Sequence, residues 1–166
     1  MPVIVEYFPQ YDPLLEEDLD KIYSNELYCP DIIDAPAQRI ESLLGKDQFT
    51  LFGARFNGKL IGATILEALT QGEFELHHFC IRSITRRRGA GRQFINGILS
   101  SPILENGKKL NCSIDSSNTA GIAFINQAGF IQRLDPIKPP GDPNIDNTSS
   151  KSPSDTHPYS FKLTQN

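Results

Sequence analysis

The chain is short of the residues that announce a metal, a disulfide scaffold or a membrane. Its 166 residues include three cysteines, Cys29, Cys80 and Cys112. None is placed at a metal-ligand spacing, so no metal site is expected. So few thiols, odd in number, argue for reduced, buried cysteines in a cytosolic setting. No run of about 20 apolar residues crosses the sequence, and no charged segment followed by an apolar stretch opens it. Neither a membrane span nor a secretory leader is expected, and the expected compartment is the cytoplasm. Positive charge is also scarce: 16 Lys and Arg stand against 20 Asp and Glu, for a net charge of −4. That balance excludes a general nucleic-acid binder. No internal repeat is present, and the length fits one domain with a proper core.

Against this acidic background, one basic stretch stands out: Ile84-Thr85-Arg86-Arg87-Arg88-Gly89-Ala90-Gly91-Arg92. An apolar, β-prone run from Phe74 to Ile81 precedes it. A helical pattern follows, with Phe94, Ile95, Ile98 and Leu99 on one face. A strand, a glycine loop and a helix start together form a phosphate-binding geometry. The first helical N–H groups have no partner in the helix, and the dipole places about half a positive charge there. Gly89 and Gly91 let the backbone approach an anion, and Arg86, Arg87, Arg88 and Arg92 supply donors for phosphate oxygens. There is no Gly-Lys-Ser/Thr, which excludes a P-loop, and the glycines are not spaced as in the dinucleotide fingerprint. A basic loop ahead of an ordinary helix would contain the same residues.

Pro2 to Phe8 reads as a first strand. Asp12-Pro13 looks like a helix start, continued by Leu14, Leu15, Leu19, Ile22 and Tyr23 to about Glu26. A second helix is expected from Asp34 or Ala35 to Leu44, its apolar face Ile40, Leu43 and Leu44, with Gly45 closing it. Gln48–Phe56 and Lys59–Leu69 are strands joined by Asn57-Gly58, the sequence of a type I′ hairpin turn. Thr70-Gln71-Gly72 leads into a strand from Glu73 to Arg82. Its alternation requires a bulge near His77-His78 if Phe74, Leu76, Phe79 and Ile81 are to share a face. Such a bulge would splay the strand from its neighbour just before the glycine loop. After the loop helix come a turn from Pro102 to Lys109, a strand from Leu110 to Ile114, and a helix opened by Asp115-Ser116-Ser117-Asn118 and ended by Gly129. Phe130 to Leu134 is a short strand. Asp135 to His157 is too polar to offset its ordering entropy and reads as a disordered insert, with a final strand from Pro158 to Thr164. A disordered tail from Asp135 onward is the alternative.

Arg86-Arg87-Arg88-Gly89-Ala90-Gly91 resembles motif A of the GNAT acyltransferase superfamily, Arg/Gln-x-x-Gly-x-Gly/Ala. Asn118…Phe124-Ile125…Gly129-Phe130 resembles its later motif, an Asn opening a helix that ends in Gly-Phe. The element order matches too. The resemblance implies an α+β fold with a mixed sheet in a single GNAT domain over residues 1–166, carrying the insert at 135–157. It also implies acetyl-CoA or CoA as cofactor. The pyrophosphate would sit on the amides of Arg87 to Arg92 and the pantetheine along Phe79, Cys80 and Ile81. Thr85, Arg86, Arg87, Arg88, Gly89, Ala90, Gly91, Arg92 and Asn118 would complete the site.

Leu51-Phe52-Gly53-Ala54-Arg55-Phe56-Asn57-Gly58-Lys59-Leu60, the arginine block and Ala123-Phe124 ahead of Gly129-Phe130 are similar to the matching blocks of the PanD maturation factors (PanZ/PanM). That family binds acetyl-CoA and then promotes self-cleavage of the aspartate 1-decarboxylase precursor. The pyruvoyl enzyme so formed serves β-alanine and pantothenate synthesis. The resemblance therefore implies the precursor as partner and Arg55, Asn57 and Arg86 as partner contacts, although the hairpin turn alone would explain Asn57. The residues themselves favour a non-catalytic role. A GNAT enzyme protonates the departing thiolate, usually with a Tyr five residues before the final Phe of the Gly-Phe pair. Ile125 stands there, behind Phe124, and neither donates a proton, so no catalytic residue is assigned. Glu73, Glu75, His77 and His78 are base candidates or solvent-facing strand residues, while Cys80 and Cys112 read as core. An N-acetyltransferase acting on an unknown amine remains the alternative function.

Overall fold

Asn57-Gly58 adopts the positive φ values that a type I′ turn demands, 48° and 77°, and so sets the register of the central hairpin. The computed structural model describes residues 2–24, 32, 34–133 and 156–163. The strands are β1 (Ile4–Phe8), β2 (Phe49–Phe56), β3 (Lys59–Ala68), β4 (Glu73–Ile81), β5 (Lys109–Asp115), β6 (Ile131–Gln132) and β7 (Thr156–Lys162). They form one seven-stranded sheet in the order β1-β2-β3-β4-β5-β7-β6. Among the described residues, only β4 and β5 pair in parallel. The helices are α1 (Glu16–Tyr23), α2 (Pro36–Leu44), α3 (Ala90–Leu99) and α4 (Thr119–Gln127).

Helices cover both faces of the sheet, and the strands bury alternate residues on each. One apolar cluster joins Leu15, just before α1, Leu19, Ile22 and Tyr23 of α1 and Ile40 and Leu44 of α2 to Leu51, Leu60, Ile65 and Cys80. The other joins Phe94, Ile95 and Ile98 of α3 and Ile125 of α4 to Phe52, Leu66, Leu76 and Ile81. In β4 the alternation is shifted by the expected bulge. Ala63 pairs with Cys80 and Ile65 with His77, so the single residue Thr64 faces His78 and Phe79. The bulge turns Phe79 and Ile81 onto the face already used by Phe74 and Leu76. His78 takes φ 54° there. Tyr23 Oη donates to the His78 carbonyl at 2.8 Å and Thr64 Oγ1 to that of His77 at 2.9 Å. These bonds satisfy carbonyls that the broken ladder would otherwise strand.

Several expected details shift. The first helix is preceded by a 3-10 turn, Pro13–Leu15, whose cap Asp12 accepts from the Leu14 amide, and Leu14 itself points to solvent. Gly45 ends α2 in right-handed conformation at φ −68°, so its cap needs no glycine freedom. The last strand starts at Thr156, two residues early, and ends at Lys162. Residues 134–155, which hold nearly all of the expected insert, and Cys29 lie outside the described residues. Among the described residues, no helix is long and apolar enough to cross a membrane.

Candidate functional site

The parallel pair β4–β5 holds together only from Glu73↔Lys109 to Leu76↔Cys112. Beyond that point β4 runs on to Ile81 beside β3, while β5 runs on to Asp115 beside β7. The sheet splits where the bulge sits. Because the two strands are parallel, the glycine loop after β4 and Asn118 after β5 lie at the same end, on either side of the split. Crevices at the carboxyl ends of strands are where open sheets of this kind take ligands.

The loop is tightly built. Thr85 N and Thr85 Oγ1 both donate to the Arg82 carbonyl, and Arg86 N donates to that of Ser83. Arg87 (φ 60°) and Gly89 (φ 79°) take left-handed conformations, and Gly89 caps α3. The first return bond of the helix is Gln93 N to Gly89 O. The amides of Arg87 to Arg92 therefore reach no protein acceptor among the described residues. Six amides around a helix start, with Arg87, Arg88 and Arg92 exposed beside them, suit a diphosphate. These groups fit the phosphates of a CoA.

Gly91 has a different reason to be glycine. A Cβ there would lie 3.2 Å from the Phe124 ring and 3.6 Å from Ile81 Cγ1. Phe124 in turn stacks on Phe79 at 5.4 Å between centroids, and Phe79 stacks on Phe94 at 5.1 Å. This aromatic trio floors the split and welds α3 and α4 to the bulged strand.

The remaining candidate residues are placed as follows. Arg82 N donates to Ile61 O, which makes that register a bonded pair of the antiparallel ladder. Alternation then commits Cys80 to Ala63 and turns the main-chain groups of Phe79 and Ile81 toward the split. The Cys80 side chain points to the other face and donates to Ile22 O. Cys80 thus differs from its two neighbours. Arg86 folds back, its Nε donating to the Ile81 carbonyl at 2.8 Å. Ala90 is buried, and Asn118 caps α4 by accepting from the Gly121 amide at 2.8 Å.

Arg55 bridges the hairpin: Nε donates to Glu6 at 2.8 Å and Nη1 to the Gly58 carbonyl at 3.0 Å. Arg55 pairs with Leu60, one residue from the Ile61 that bonds Arg82. Two strand spacings, about 10 Å, separate the hairpin arm from the end of β4. Arg55, Asn57 and Arg86 thus share one end of the sheet. Glu6, the anchor of Arg55, was not among the expected site residues. An opposite charge on the neighbouring strand was its only signal, and β1–β2 register is not visible before folding.

Ile125 is 4% exposed and belongs to the core. It is both apolar and inaccessible. On the opposite face of β4, His77 Nε2 meets Glu67 Oε2 at 2.8 Å beside a cavity of about 150 Å³, also lined by Leu43, Phe49, Ile65 and His78. Cys112 is buried, and burial, aided by the Glu75 charge, pushes its thiol up to about 12. That thiol is core material and not a nucleophile.

Known structures with the same fold are distant in sequence. The ribosomal-protein-S18-alanine N-acetyltransferase from Escherichia coli superposes with a TM-score of 0.66 at 14% identity, covering 97% of this chain and 95% of that one. A GNAT-family acetyltransferase from Staphylococcus aureus MU50 gives 0.68 at 15% identity, covering 97% and 100%. An aminoglycoside 6'-N-acetyltransferase complexed with coenzyme A gives 0.69 at 12% identity, covering 97% of both chains. A search of curated proteins found no match. A model of the acetyltransferase (GNAT) domain of the PanZ type matches residues 2–134, and this chain belongs to that PanZ family of GNAT domains.

Proposed function

We propose that this protein binds acetyl-CoA, or CoA, in the split of its sheet and, so loaded, promotes self-cleavage of the aspartate 1-decarboxylase precursor to the pyruvoyl enzyme. One observation carries the reading within the family: the position for the thiolate's proton donor is Ile125, sealed in the core. A domain that keeps a cofactor cradle but lacks that acid is suited to sensing acetyl-CoA more than to consuming it. The amides of Arg87 to Arg92 would hold the pyrophosphate. The main-chain groups of Phe79 and Ile81 would pair with the pantetheine, and Thr85, Ala90 and Asn118 border its path. Arg55, Asn57 and Arg86 would face the precursor. Acetyl-CoA supplies a ligand that fixes the loop, and the partner is activated only if the loaded surface binds its cleavage-prone form better than the relaxed one.

Incubating the protein with the precursor of its own organism, with and without acetyl-CoA, and following chain cleavage by mass tests this. Cleavage should accelerate only when all three are present, and no acceleration refutes the reading. Arg55→Ala should lower activation by one or more orders of magnitude at sub-saturating protein, since truncating one side of a charged interface bond costs about 2–5 kcal/mol. The fold should survive, because a partly exposed pair such as Arg55–Glu6 contributes about 1 kcal/mol.

A second reading is an N-acetyltransferase acting on an unknown amine. The His77–Glu67 pair beside its cavity favours it, since a carboxylate-oriented imidazole is a serviceable base. Thiol release on presenting amines, lost in His77→Gln, would support that reading.

A further inference from the structure

Between Leu76 and Leu104 the chain has five arginines and no Asp, Glu or Lys. In the middle of that stretch Ile84 stands 65% exposed. An isolated exposed isoleucine is ordinary, but this one sits on a turn fixed from every side. Arg82 N is bonded to Ile61 O, Thr85 N and Thr85 Oγ1 to Arg82 O, and Arg86 N to Ser83 O. Arg86 Nε then ties the turn back to the Ile81 carbonyl. Five hydrogen bonds hold Ser83–Thr85 in one conformation, and a β-branched side chain has few rotamers left to lose. Little ordering cost remains when such a side chain is buried by a partner.

The surroundings define the partner's chemistry. Arg82 and Arg86 flank Ile84 in sequence, and the hairpin tip with Arg55 lies at the same end of the sheet. The carboxylates nearby are already engaged: Glu6 with Arg55, and Glu17 and Asp18 with Lys59. A rigid apolar knob with an arginine two residues to either side, in a stretch free of acidic residues, fits an apolar socket bordered by carboxylates, with the desolvated anchor at the centre and the charges outside it.

We propose that Ile84 is the apolar anchor of the surface that engages the partner chain, and that the partner offers an apolar socket rimmed by acidic side chains. The inference deepens the proposed function and rests on the decarboxylase precursor being that partner. The test uses the full-length protein, acetyl-CoA and the precursor, with precursor affinity, cleavage rate, acetyl-CoA affinity and melting temperature read on each variant. Ile84→Ala should weaken precursor binding by about 10-fold or more, as anchor truncations do. Ile84→Asp should weaken it further, and Ile84→Leu should stay within about 3-fold of the parent. Acetyl-CoA affinity and melting should not move, because the side chain is exposed. Unchanged precursor binding in Ile84→Ala and Ile84→Asp overturns the inference and leaves the proposed function standing. An equal loss of acetyl-CoA affinity overturns it too, by placing Ile84 in the cofactor site. Failure of the parent protein to bind the precursor overturns both.

Discussion

Replacing Gly89 with aspartate should weaken cofactor binding by about 100-fold without unfolding the protein. Gly89 caps α3 at φ 79°, and a Cβ there meets only Gln93 Nε2 at 3.9 Å. Space is therefore available, and backbone strain is the cost. A left-handed conformation costs an L-residue about 1–2 kcal/mol, less for aspartate than for most. Against it stands the gain of a carboxylate at a helix start, about 1 kcal/mol. Stability should change by no more than about 1 kcal/mol. Binding should change far more, because the new carboxylate competes for the amides assigned to the pyrophosphate. Two unit charges about 5 Å apart repel by about 3 kcal/mol at an effective dielectric of about 20. That corresponds to a loss of about 100-fold in acetyl-CoA affinity. Gly89→Ala is the control: it carries at least as much backbone strain without the charge and should bind within about 3-fold of the parent. Calorimetric titration of both variants decides the matter. Equal, parent-like affinity in Gly89→Asp would refute the assignment of these amides to the phosphates. Gly91 is a poorer probe, since a Cβ there would press on the Phe124 ring at 3.2 Å and shift it as well.

Tyr23→Phe removes the hydroxyl that holds the His78 carbonyl in the bulge. It should cost about 1–2 kcal/mol, a fall in melting temperature of a few degrees for a domain of this size, read by calorimetry. Cys112 should resist iodoacetamide at pH 8 until the protein is unfolded. Its thiol is raised from 9.0 to about 12 in the fold, so burial of the neutral thiol stabilises the protein below pH 9. That contribution fades as pH climbs through the folded value, and Cys112→Ala should flatten the alkaline part of the stability profile accordingly. Acetyl transfer to amines should be negligible, because general acid assistance worth about 10²–10⁴-fold is missing at Ile125. Turnover of several per second on a polyamine, amino acid or peptide in a thiol-release screen would contradict this.

Local chemistry made most of the fold legible. Asn57-Gly58 demanded a turn, Asp12-Pro13 and Asn118 demanded helix starts, and the apolar doublet Phe79, Ile81 after Phe74, Leu76 demanded a bulge. Each is a constraint that neighbouring residues impose, independent of what packs against them. The glycine loop was legible for the same reason, since its amides belong to one contiguous segment. The second reason for Gly91 is not legible in the sequence, because its neighbour, Phe124, is 33 positions away and only the packing of α3 on α4 brings them together. The role of Cys80 depended on which side of the ladder its main chain faces, which is fixed by register with β3 and cannot be read from β4 alone.

Arg55 and Arg86, both partner contacts by the resemblance and Arg86 a cofactor contact as well, are 31 residues apart in sequence. In the sheet, the β2–β3 tip and the end of β4 are adjacent because β3 is antiparallel to β4 and Ile61 bonds Arg82. The same turn that begins the phosphate loop at Arg86 ends the exposed face that carries Ile84. On the proposed function, the cofactor seats on Arg87 to Arg92 and the partner on the turn before Arg86, whose Nε is bound to Ile81. The two proposed surfaces then adjoin, and coupling between them needs no long path through the domain. It requires only that one short, fully bonded loop be shared by two surfaces, and by linkage the partner should tighten acetyl-CoA binding by the same factor that acetyl-CoA tightens the partner.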